Sequence, residues 1–251
     1  MSEPTKLAII TGTSSGIGEA VSRDFLAHGW AVYGIARRHA RVVDSRYTHI
    51  AFDLGDVDGL SETIGSHLAP IVRDDRWTRI ALVNNAAITG PLGPLEQVTP
   101  AELMSVFAVN ATAPTWLMGF VVRTARPSVP IRIVNISSGA ARAGTAGLST
   151  YAASKAALRL SGMTFAAELA RPPQGEASRD VAVLSYEPST VDTAMQAHAR
   201  GTSVDEFPWV DTFQNFKAQG RLVAASDVTP TIVAFAESGL GERFSETRYG
   251  A

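Results

Sequence analysis

Tyr151 and Lys155 lie four residues apart in a stretch, residues 150–169, whose composition is typical of a helix. Side chains at positions i and i+4 of a helix project from the same face, so the lysine can lie beside the phenol. A free tyrosine has a pKa near about 10, and a neighbouring ammonium lowers that pKa by favouring the phenolate. The pair therefore predicts a proton donor or acceptor for a carbonyl or alcohol oxygen near neutral pH. Ser138 lies upstream, at the end of the apolar run Ile131–Ile136.

A chance pairing on a surface helix is the alternative, although the chain has three lysines and five tyrosines in all. The amino terminus favours the chemical interpretation. Residues 6–11 form an apolar, β-branched run typical of a buried parallel strand, and a glycine-rich segment (GTSSGIG, residues 12–18) follows at once. A periodic helix then extends to about His28, and Gly29 ends it. A strand, a glycine-rich turn and a helix N-terminus together predict a phosphate site.

These motifs occur in the order and at the spacing of one family. Residues 11–18 (TGTSSGIG), residues 84–87 (NNAA), Asn110, Ser138 and the Tyr151/Lys155 pair resemble the short-chain dehydrogenase/reductase family over essentially the whole chain. Within that family, residues 135–141, 191–197 and 216–228 are most similar to the benzil reductase and sepiapterin reductase group.

The order of the elements predicts an α/β fold. Six apolar strand-like runs alternate with helical stretches, which predicts a doubly wound, Rossmann-type parallel sheet with helices on both faces. The runs are residues 6–11, 31–36, 49–52, 80–84, 131–136 and 181–186. The resemblance implies a seventh strand near residues 245–249. We predict a single NADP-binding domain over residues 1–251, in which an irregular stretch from Pro188 to about Asp211 belongs to a substrate lid at about 188–216.

Composition excludes several classes of function. The net charge is −2 and no basic stretch carries interleaved aromatic residues, which argues against a nucleic-acid partner. There is no cysteine, and the five histidines are scattered without metal spacing, so no metal site is predicted. No apolar run approaches the ~20 residues that cross a bilayer. The sequence thus predicts a cytoplasmic protein with no membrane partner.

Arg37 and Arg38 follow the second predicted strand, where an NAD site would place an acidic residue. A guanidinium there suits the 2′-phosphate of NADP, although two solvated loop arginines are the alternative. We therefore predict NADP(H) as the cofactor, with hydroxyl contacts from Thr13 and Ser14 to the same phosphate.

The resemblance implies further cofactor contacts. Asp53 would accept from the adenine amino group, although it also fits a surface or capping acid, and Thr193 would hold the carboxamide. Asn84 would touch the cofactor or brace the sheet. The predicted cofactor-binding set is Gly12, Thr13, Ser14, Ser15, Gly16, Ile17, Gly18, Arg37, Arg38, Asp53, Leu54, Asn85, Ala86, Tyr151, Lys155, Pro188, Val191 and Thr193.

The resemblance also implies four catalytic residues. Tyr151 would exchange the proton, and Lys155 would lower its pKa and bind the nicotinamide ribose. Ser138 would orient the carbonyl, and Asn110 would hold a water that links Lys155 to solvent. For Asn110 the alternative is a helix irregularity or a satisfied buried amide.

Two positions depart from the family. Ala87 stands where the family has glycine, and Pro188-Ser189, preceded by Glu187, stands where it has Pro-Gly. Ser189 should take a conformation open to a residue with a β-carbon. Glu187 would bring charge toward the active site or turn to water.

Substrate recognition is expected from residues 88–92, residues 139–149, Tyr186 and the lid. The aromatic residues of the lid favour a hydrophobic carbonyl, and we predict an NADPH-dependent reductase of a ketone or a benzil-like 1,2-diketone. One alternative is reduction of a pterin side chain, with Glu187 or Asp192 facing the ring. Another is a non-catalytic NADP-binding sensor. Apolar helices at 101–126 and 150–169 predict a homodimer or homotetramer.

Overall fold

A computed structural model shows one parallel sheet of seven strands in the order β3-β2-β1-β4-β5-β6-β7. It describes residues 3–172, 174–175 and 177–250. The predicted domain of residues 1–251 also includes Met1, Ser2, Pro173, Glu176 and Ala251, which lie outside the described residues. The strands are β1 (Lys6–Thr11), β2 (Ala31–Ala36), β3 (Tyr47–Ala51), β4 (Arg79–Asn84), β5 (Ile131–Ile136), β6 (Val181–Glu187) and β7 (Phe244–Arg248).

Helices cover both faces of this sheet, which confirms the predicted doubly wound α/β fold. They are α1 (Gly16–Ala27), α2 (Ser66–Arg73), α3 (Pro100–Phe107), α4 (Ala113–Thr124), α5 (Ser149–Leu169), α6 (Ala194–Arg200), α7 (Val210–Ala218) and α8 (Thr229–Glu237). Short π-helical turns precede α2 and α4, at Leu60–Gly65 and Ala108–Thr112.

Two hydrophobic cores lie on opposite faces of the sheet. One packs α2, α4 and α5 against alternate residues of the strands, and the other packs α1 and α8 against the remaining residues. Because every central strand is covered on both sides, all six residues of β5 are buried. Such strands carry continuous apolar runs, which is why the sequence predicts them well.

The seventh strand is present although its sequence is polar. β7 pairs in parallel with β6, with Val183 opposite Phe244 and Glu187 opposite Arg248. Three of its five residues are exposed, because an edge strand covered on one face needs few apolar side chains.

The stretch from Pro188 to about Asp211 was expected to be irregular, and that expectation is wrong in part, since residues 188–193 and 201–209 form no helix or strand. It contains α6 and the first residues of α7, and Val191 forms a parallel bridge with Val223. The hydroxyl of Thr193 accepts a hydrogen bond from the Gln196 backbone N–H and caps α6. A helix of seven residues is too short for hydrophobic periodicity to reveal it.

The segment Pro100–Thr124 also corrects the sequence analysis. It runs for 25 residues as α3, a π-helical turn and α4, and its most apolar window has a mean hydropathy of 1.4. By length and composition it could span a bilayer, so an apolar run of that size does exist. However, 61% of that window is buried inside the protein, as in the core helix of a globular domain. That the protein has no membrane partner remains a prediction.

Candidate active site

A crevice lies at the carboxyl ends of β1 and β4, which are neighbours in the sheet. The chain leaves β1 toward β2 on one side and leaves β4 toward β5 on the other. Open α/β sheets bind ligands at such a switch point. Residues 12–18 follow β1, and Asn85 follows β4, so the two predicted cofactor segments meet here.

The glycine-rich loop is closely packed against this strand end. A β-carbon on Gly12, which has a φ of 75°, would lie 2.8 Å from Asn85 Nδ2. One on Gly18 would lie 2.3 Å from the carbonyl oxygen of Gly12. Asn85 Nδ2 donates to the Thr11 carbonyl at 2.9 Å and holds the loop against β4. The first turn of α1 therefore presents its backbone N–H groups to the crevice, as a phosphate requires.

The Thr13 hydroxyl already has a partner within the protein. The side chain is fully buried, and its Oγ1 forms a 2.9 Å hydrogen bond with the hydroxyl of Tyr47 on β3. The predicted contacts of Thr13 and Ser14 with a phosphate stay predictions. Tyr47 is a residue that sequence reasoning missed, because its partner lies 34 positions away.

Arg37 lies at the outer edge of the crevice, beyond the end of β2. Its side chain is 68% exposed, and Nη1 is 3.7 Å from Oδ2 of Asp53. Oδ1 of Asp53 accepts from the Gly55 backbone N–H at 2.9 Å. Arg38 is exposed beside it, and Leu54 is buried. The structure thus brings Arg37, Arg38 and Asp53 together where the adenosine end of a dinucleotide would lie.

Asn84 braces the sheet, which settles an alternative left open by the sequence. Its Nδ2 donates to Oδ1 of Asn135 at 2.8 Å, across the pair β4–β5, and the residue is buried. Ala86 is held differently, since its backbone N–H donates to Thr11 Oγ1 at 3.0 Å.

Tyr151 and Lys155 share one face of α5, as their spacing predicts. Lys155 Nζ lies 5.8 Å from the centre of the Tyr151 ring and donates to the carbonyl oxygen of Ile136 at 2.8 Å. The lysine is 2% exposed, and burial lowers its pKa to about 8. An ammonium in this place is held by a single carbonyl at the end of β5.

The expected lowering of the tyrosine pKa is wrong for this structure. Burial raises the pKa of Tyr151, and a hydrogen bond with Ser138 only partly opposes that rise. The reason is that removal from water disfavours the phenolate, while Lys155 Nζ donates to the Ile136 carbonyl and not to the phenol oxygen. The protonated phenol is the form that donates a proton to a carbonyl oxygen.

Ser138 begins a tight turn after β5. Its Oγ accepts from the Ala140 backbone N–H at 3.2 Å, which starts the 3-10 turn Gly139–Ala141. Ser138 also lies close enough to the Tyr151 phenol to oppose the rise in its pKa, so the two hydroxyls are near each other. A carbonyl oxygen between them would meet two donors.

Asn110 is buried in the π-helical turn before α4. Its Nδ2 donates to Ser154 Oγ at 3.0 Å and to the Ile88 carbonyl at 2.8 Å, and its Oδ1 accepts from the Ile88 N–H at 2.9 Å. Both alternatives from the sequence hold here, since the residue is a helix irregularity and a satisfied amide. The implied water relay remains a prediction.

A small aromatic cluster covers Tyr151. Phe207 and Val210 are buried with Leu148, and Tyr151 packs against them. The Phe207 ring lies edge-on to Phe213, with centroids 5.1 Å apart. The lid therefore places apolar surface directly over the phenol.

The segment after β6 carries the predicted nicotinamide contacts. Thr193 reaches the glycine-rich loop, since a β-carbon on Gly16 would lie 3.2 Å from its methyl carbon. Val191 is buried, and Ile17 packs partly buried against the same core. Ser189 has a φ of 65°, alone among the described non-glycine residues in being positive. Ser189 thus keeps the left-handed backbone conformation that glycine favours. The prediction that Ser189 takes a conformation open to a residue with a β-carbon is wrong.

Ser189→Gly is expected to stabilise the protein by about 1 kcal/mol. A β-carbon in the left-handed region costs roughly 1–2 kcal/mol, and the substitution removes that cost. The greater conformational entropy of glycine in the unfolded chain offsets part of this gain. Urea unfolding of both proteins measures the difference. Ser45→Gly, at an exposed turn position without a positive φ, is the matched control and should destabilise slightly. A Ser189→Gly protein no more stable than the parent would contradict the strain.

Comparison with known proteins agrees with this geometry. The sequence model of the short chain dehydrogenase family matches residues 6–203. This chain belongs to that family. Benzil reductase ((S)-benzoin forming) of Bacillus subtilis (strain 168) is 31% identical over 235 residues, which cover 93% of this chain and 94% of that protein.

Two further relatives of this short-chain dehydrogenase span most of its length. Sepiapterin reductase of Bos taurus is 28% identical and matches 86% of this chain and 84% of its own. A crystal structure of a metagenomic short-chain oxidoreductase in complex with NADP superposes with a TM-score of 0.69 at 26% identity. That likeness covers 99% of both chains.

Family membership makes the protein an oxidoreductase that acts on carbonyl or hydroxyl groups. The crevice fits a nicotinamide dinucleotide, because Gly12 and Gly18 let a tight loop pack against Asn85 and lead directly into the N-terminus of α1. The residues that would hold the cofactor are those of the glycine-rich loop, the end of β2 and the segment after β6. The bound cofactor would supply hydride, and the protein would supply position and a proton.

The low pKa of Lys155 leads to a pH prediction. For reduction, kcat/KM for the carbonyl substrate is expected to fall as the pH rises through about 8. The buried ammonium loses its proton there and no longer stabilises the phenolate that Tyr151 leaves behind. Initial rates measured at constant ionic strength from roughly pH 6 to 10, the range in which such groups titrate, give this pH dependence of kcat/KM. Lys155→Ala should be slow throughout and lack this step. A parent profile flat to about pH 10 would contradict the assignment.

Proposed function

We propose that this short-chain dehydrogenase is an NADPH-dependent carbonyl reductase whose substrate is a hydrophobic ketone or a benzil-like 1,2-diketone. The observation that carries the proposal is the placement of Ser138 and Lys155 near Tyr151, which itself packs against the apolar lid cluster. The similarity to benzil reductase supports the same substrate class.

The residue roles follow from the contacts. Ser138 and Tyr151 both donate to the substrate carbonyl oxygen, which polarises the bond for hydride attack at its carbon. Tyr151 then gives its proton to the new alkoxide, and the ammonium of Lys155 stabilises the resulting phenolate. Asn110 holds α5 through Ser154, one residue before Lys155, and so fixes where that lysine lies.

The cofactor choice rests on charge at the end of β2. Arg37 and Arg38 provide two exposed guanidinium groups, and Arg37 has only a 3.7 Å ion pair with Asp53. A 2′-phosphate would find two cations there, whereas a ribose 2′-hydroxyl would find arginine where an NAD site places an acidic residue. The NADP complex of a structural relative supports the proposal.

The alternative of pterin recognition has less support in this proposal. A pterin ring would want a carboxylate facing it, and Glu187 is paired with Arg142 at 2.7 Å and with Arg248 at 3.3 Å. Asp192 is 55% exposed and lies 3.5 Å from Arg200. The pairing of Glu187 favours an aryl diketone as the proposed substrate.

The test is turnover of NADPH with a panel of carbonyl compounds, measured as the loss of NADPH absorbance. Benzil and 1-phenyl-1,2-propanedione should be reduced, sepiapterin much more slowly, and an aldose not at all. Fast reduction of sepiapterin alone would favour the pterin alternative. Tight NADPH binding without turnover of any compound would favour the sensor alternative.

We further propose that α4 and α5 form a subunit interface. A shallow groove of about 510 Å³ runs between them, with Met118, Leu160 and Phe165 among its lining residues. Leu160 is largely exposed at its centre, and burial of such faces is the usual reason for a symmetric dimer.

Light scattering at micromolar concentration should therefore give a multiple of the 26.6 kDa chain mass. Leu160→Glu should shift the protein toward the single-chain mass, because it places a charge in the apolar face. Glu168→Gln, at the end of the same groove, is the control and should leave the mass unchanged. A parent protein with only the single-chain mass would contradict the interface.

A further inference from the structure

Glu187 is a charged residue at the buried end of β6. It is 8% exposed, although glutamate is rarely buried unless it is paired. Oε2 accepts from Nη2 of Arg142 at 2.7 Å, and Oε1 lies 3.3 Å from Nε of Arg248. The two arginines come from different elements, since Arg142 follows the turn after β5 and Arg248 ends β7.

The carboxylate pairs with one end of the turn that carries Ser138 and lies close to the other end. Arg142 closes that turn, with its backbone N–H donating to the Gly139 carbonyl at 3.1 Å. At the other end, a β-carbon on Gly139 would lie 3.1 Å from Glu187 Oε1. The Ser137 N–H donates to the Tyr186 carbonyl at 2.7 Å, so β6 also anchors the residue before Ser138.

We propose that Glu187 is a positioning residue: through Arg142 it fixes the 138–142 turn and thereby aims the Ser138 hydroxyl at the substrate oxygen. This inference rests on the proposed role of Ser138 in carbonyl reduction. Glu187 does not itself touch the reacting atoms, because two guanidinium groups occupy its carboxylate.

The geometry separates this role from general stability. Arg142 and Arg248 are both substantially exposed, at 49% and 60%, but the pair with Arg142 is a 2.7 Å hydrogen bond that ties the turn to the sheet, whereas the pair with Arg248 is longer, at 3.3 Å. Long, exposed ion pairs contribute little to stability. Losing Arg142 should therefore release the turn, while losing Arg248 should leave it in place.

The experiment compares four variants by diketone reduction and by NADPH binding. Glu187→Ala and Arg142→Met should each lower kcat about tenfold at unchanged NADPH affinity, since a small misplacement of a catalytic group has effects of that order. Glu187→Gln, which can still accept one hydrogen bond from Arg142, should lose less. Arg248→Met, which removes the other guanidinium from the same carboxylate, is the matched control and should stay within about twofold of the parent.

A double-mutant cycle with Ser138→Ala decides the mechanism. If Glu187 acts through Ser138, Glu187→Ala should change kcat less than twofold once Ser138 is alanine. An equal loss in both backgrounds would overturn the proposal, because a purely structural effect is independent of Ser138. A loss in Arg248→Met as large as that in Arg142→Met would overturn it too.

A measurement without turnover separates this inference from the proposed function. Hydrogen exchange of residues 138–148 should be faster in Glu187→Ala and Arg142→Met than in the parent and Arg248→Met. If the parent reduces no carbonyl compound, the proposed function fails, and exchange then decides whether Glu187 holds the turn. Unchanged exchange in both variants would overturn the inference.

Discussion

Tyr151→Phe is expected to lower turnover by at least ~10²-fold, the usual scale of general acid catalysis. The substitution keeps the ring that packs against the lid cluster and removes only the hydroxyl near Ser138. The affinity for NADPH, measured by quenching of protein fluorescence, should be nearly unchanged. The expected signature is therefore a loss in kcat rather than in cofactor affinity.

Tyr33→Phe is the matched control, because it removes the same hydroxyl from β2 on the sheet face that α2, α4 and α5 cover. It should keep nearly full activity. Near-normal turnover in Tyr151→Phe would show that another group delivers the proton, and the mechanism proposed here would be wrong.

Cofactor preference is the second large effect. NADPH should be preferred over NADH by a factor of about 10 to 1000 in kcat/KM, roughly 1.4–4 kcal/mol, because Arg37 meets a dianionic 2′-phosphate by charge-assisted hydrogen bonds. Arg37→Asp should shift the preference toward NADH. The new carboxylate would lie near Asp53, which is 3.7 Å from Arg37 in the parent, and both would repel a phosphate.

Arg41→Asp makes the same change in net charge in the same exposed loop and is the control for long-range electrostatics. It should change the preference far less. A weakened preference that does not reverse in Arg37→Asp would assign a share of the contact to Arg38. Equal use of NADH and NADPH by the parent would contradict the NADP assignment.

Local patterns predict much of this fold. β1, β2 and β5 were predicted with the observed bounds, because strands covered on both faces are apolar throughout. β7 follows from the family resemblance and not from its own residues, which are mostly exposed. α6 was missed, since a short helix capped by Thr193 leaves no periodic signal.

The site was predictable where its residues are close in sequence. Tyr151 and Lys155 share a helix face, so their spacing suffices. The Thr13–Tyr47 hydrogen bond joins residues 34 positions apart, and the Glu187–Arg142 pair joins residues 45 apart. The direction of the Tyr151 pKa depends on burial by the lid, which spacing does not encode. Only the folded chain reveals these three features.

The order of the strands in the sheet also determines which part of the site can form first during translation. β1 lies between β2 and β4, so the centre of the sheet stays open on one side until Asn84 has left the ribosome. From then on, both strands whose carboxyl ends form the nucleotide crevice, β1 and β4, are present, whereas Ser138, Tyr151 and the lid are still untranslated. Domains form from the amino terminus during translation, and exposed strand edges are prone to mispairing. In a growing chain the dinucleotide half therefore takes shape before any part of the proton-transfer machinery exists.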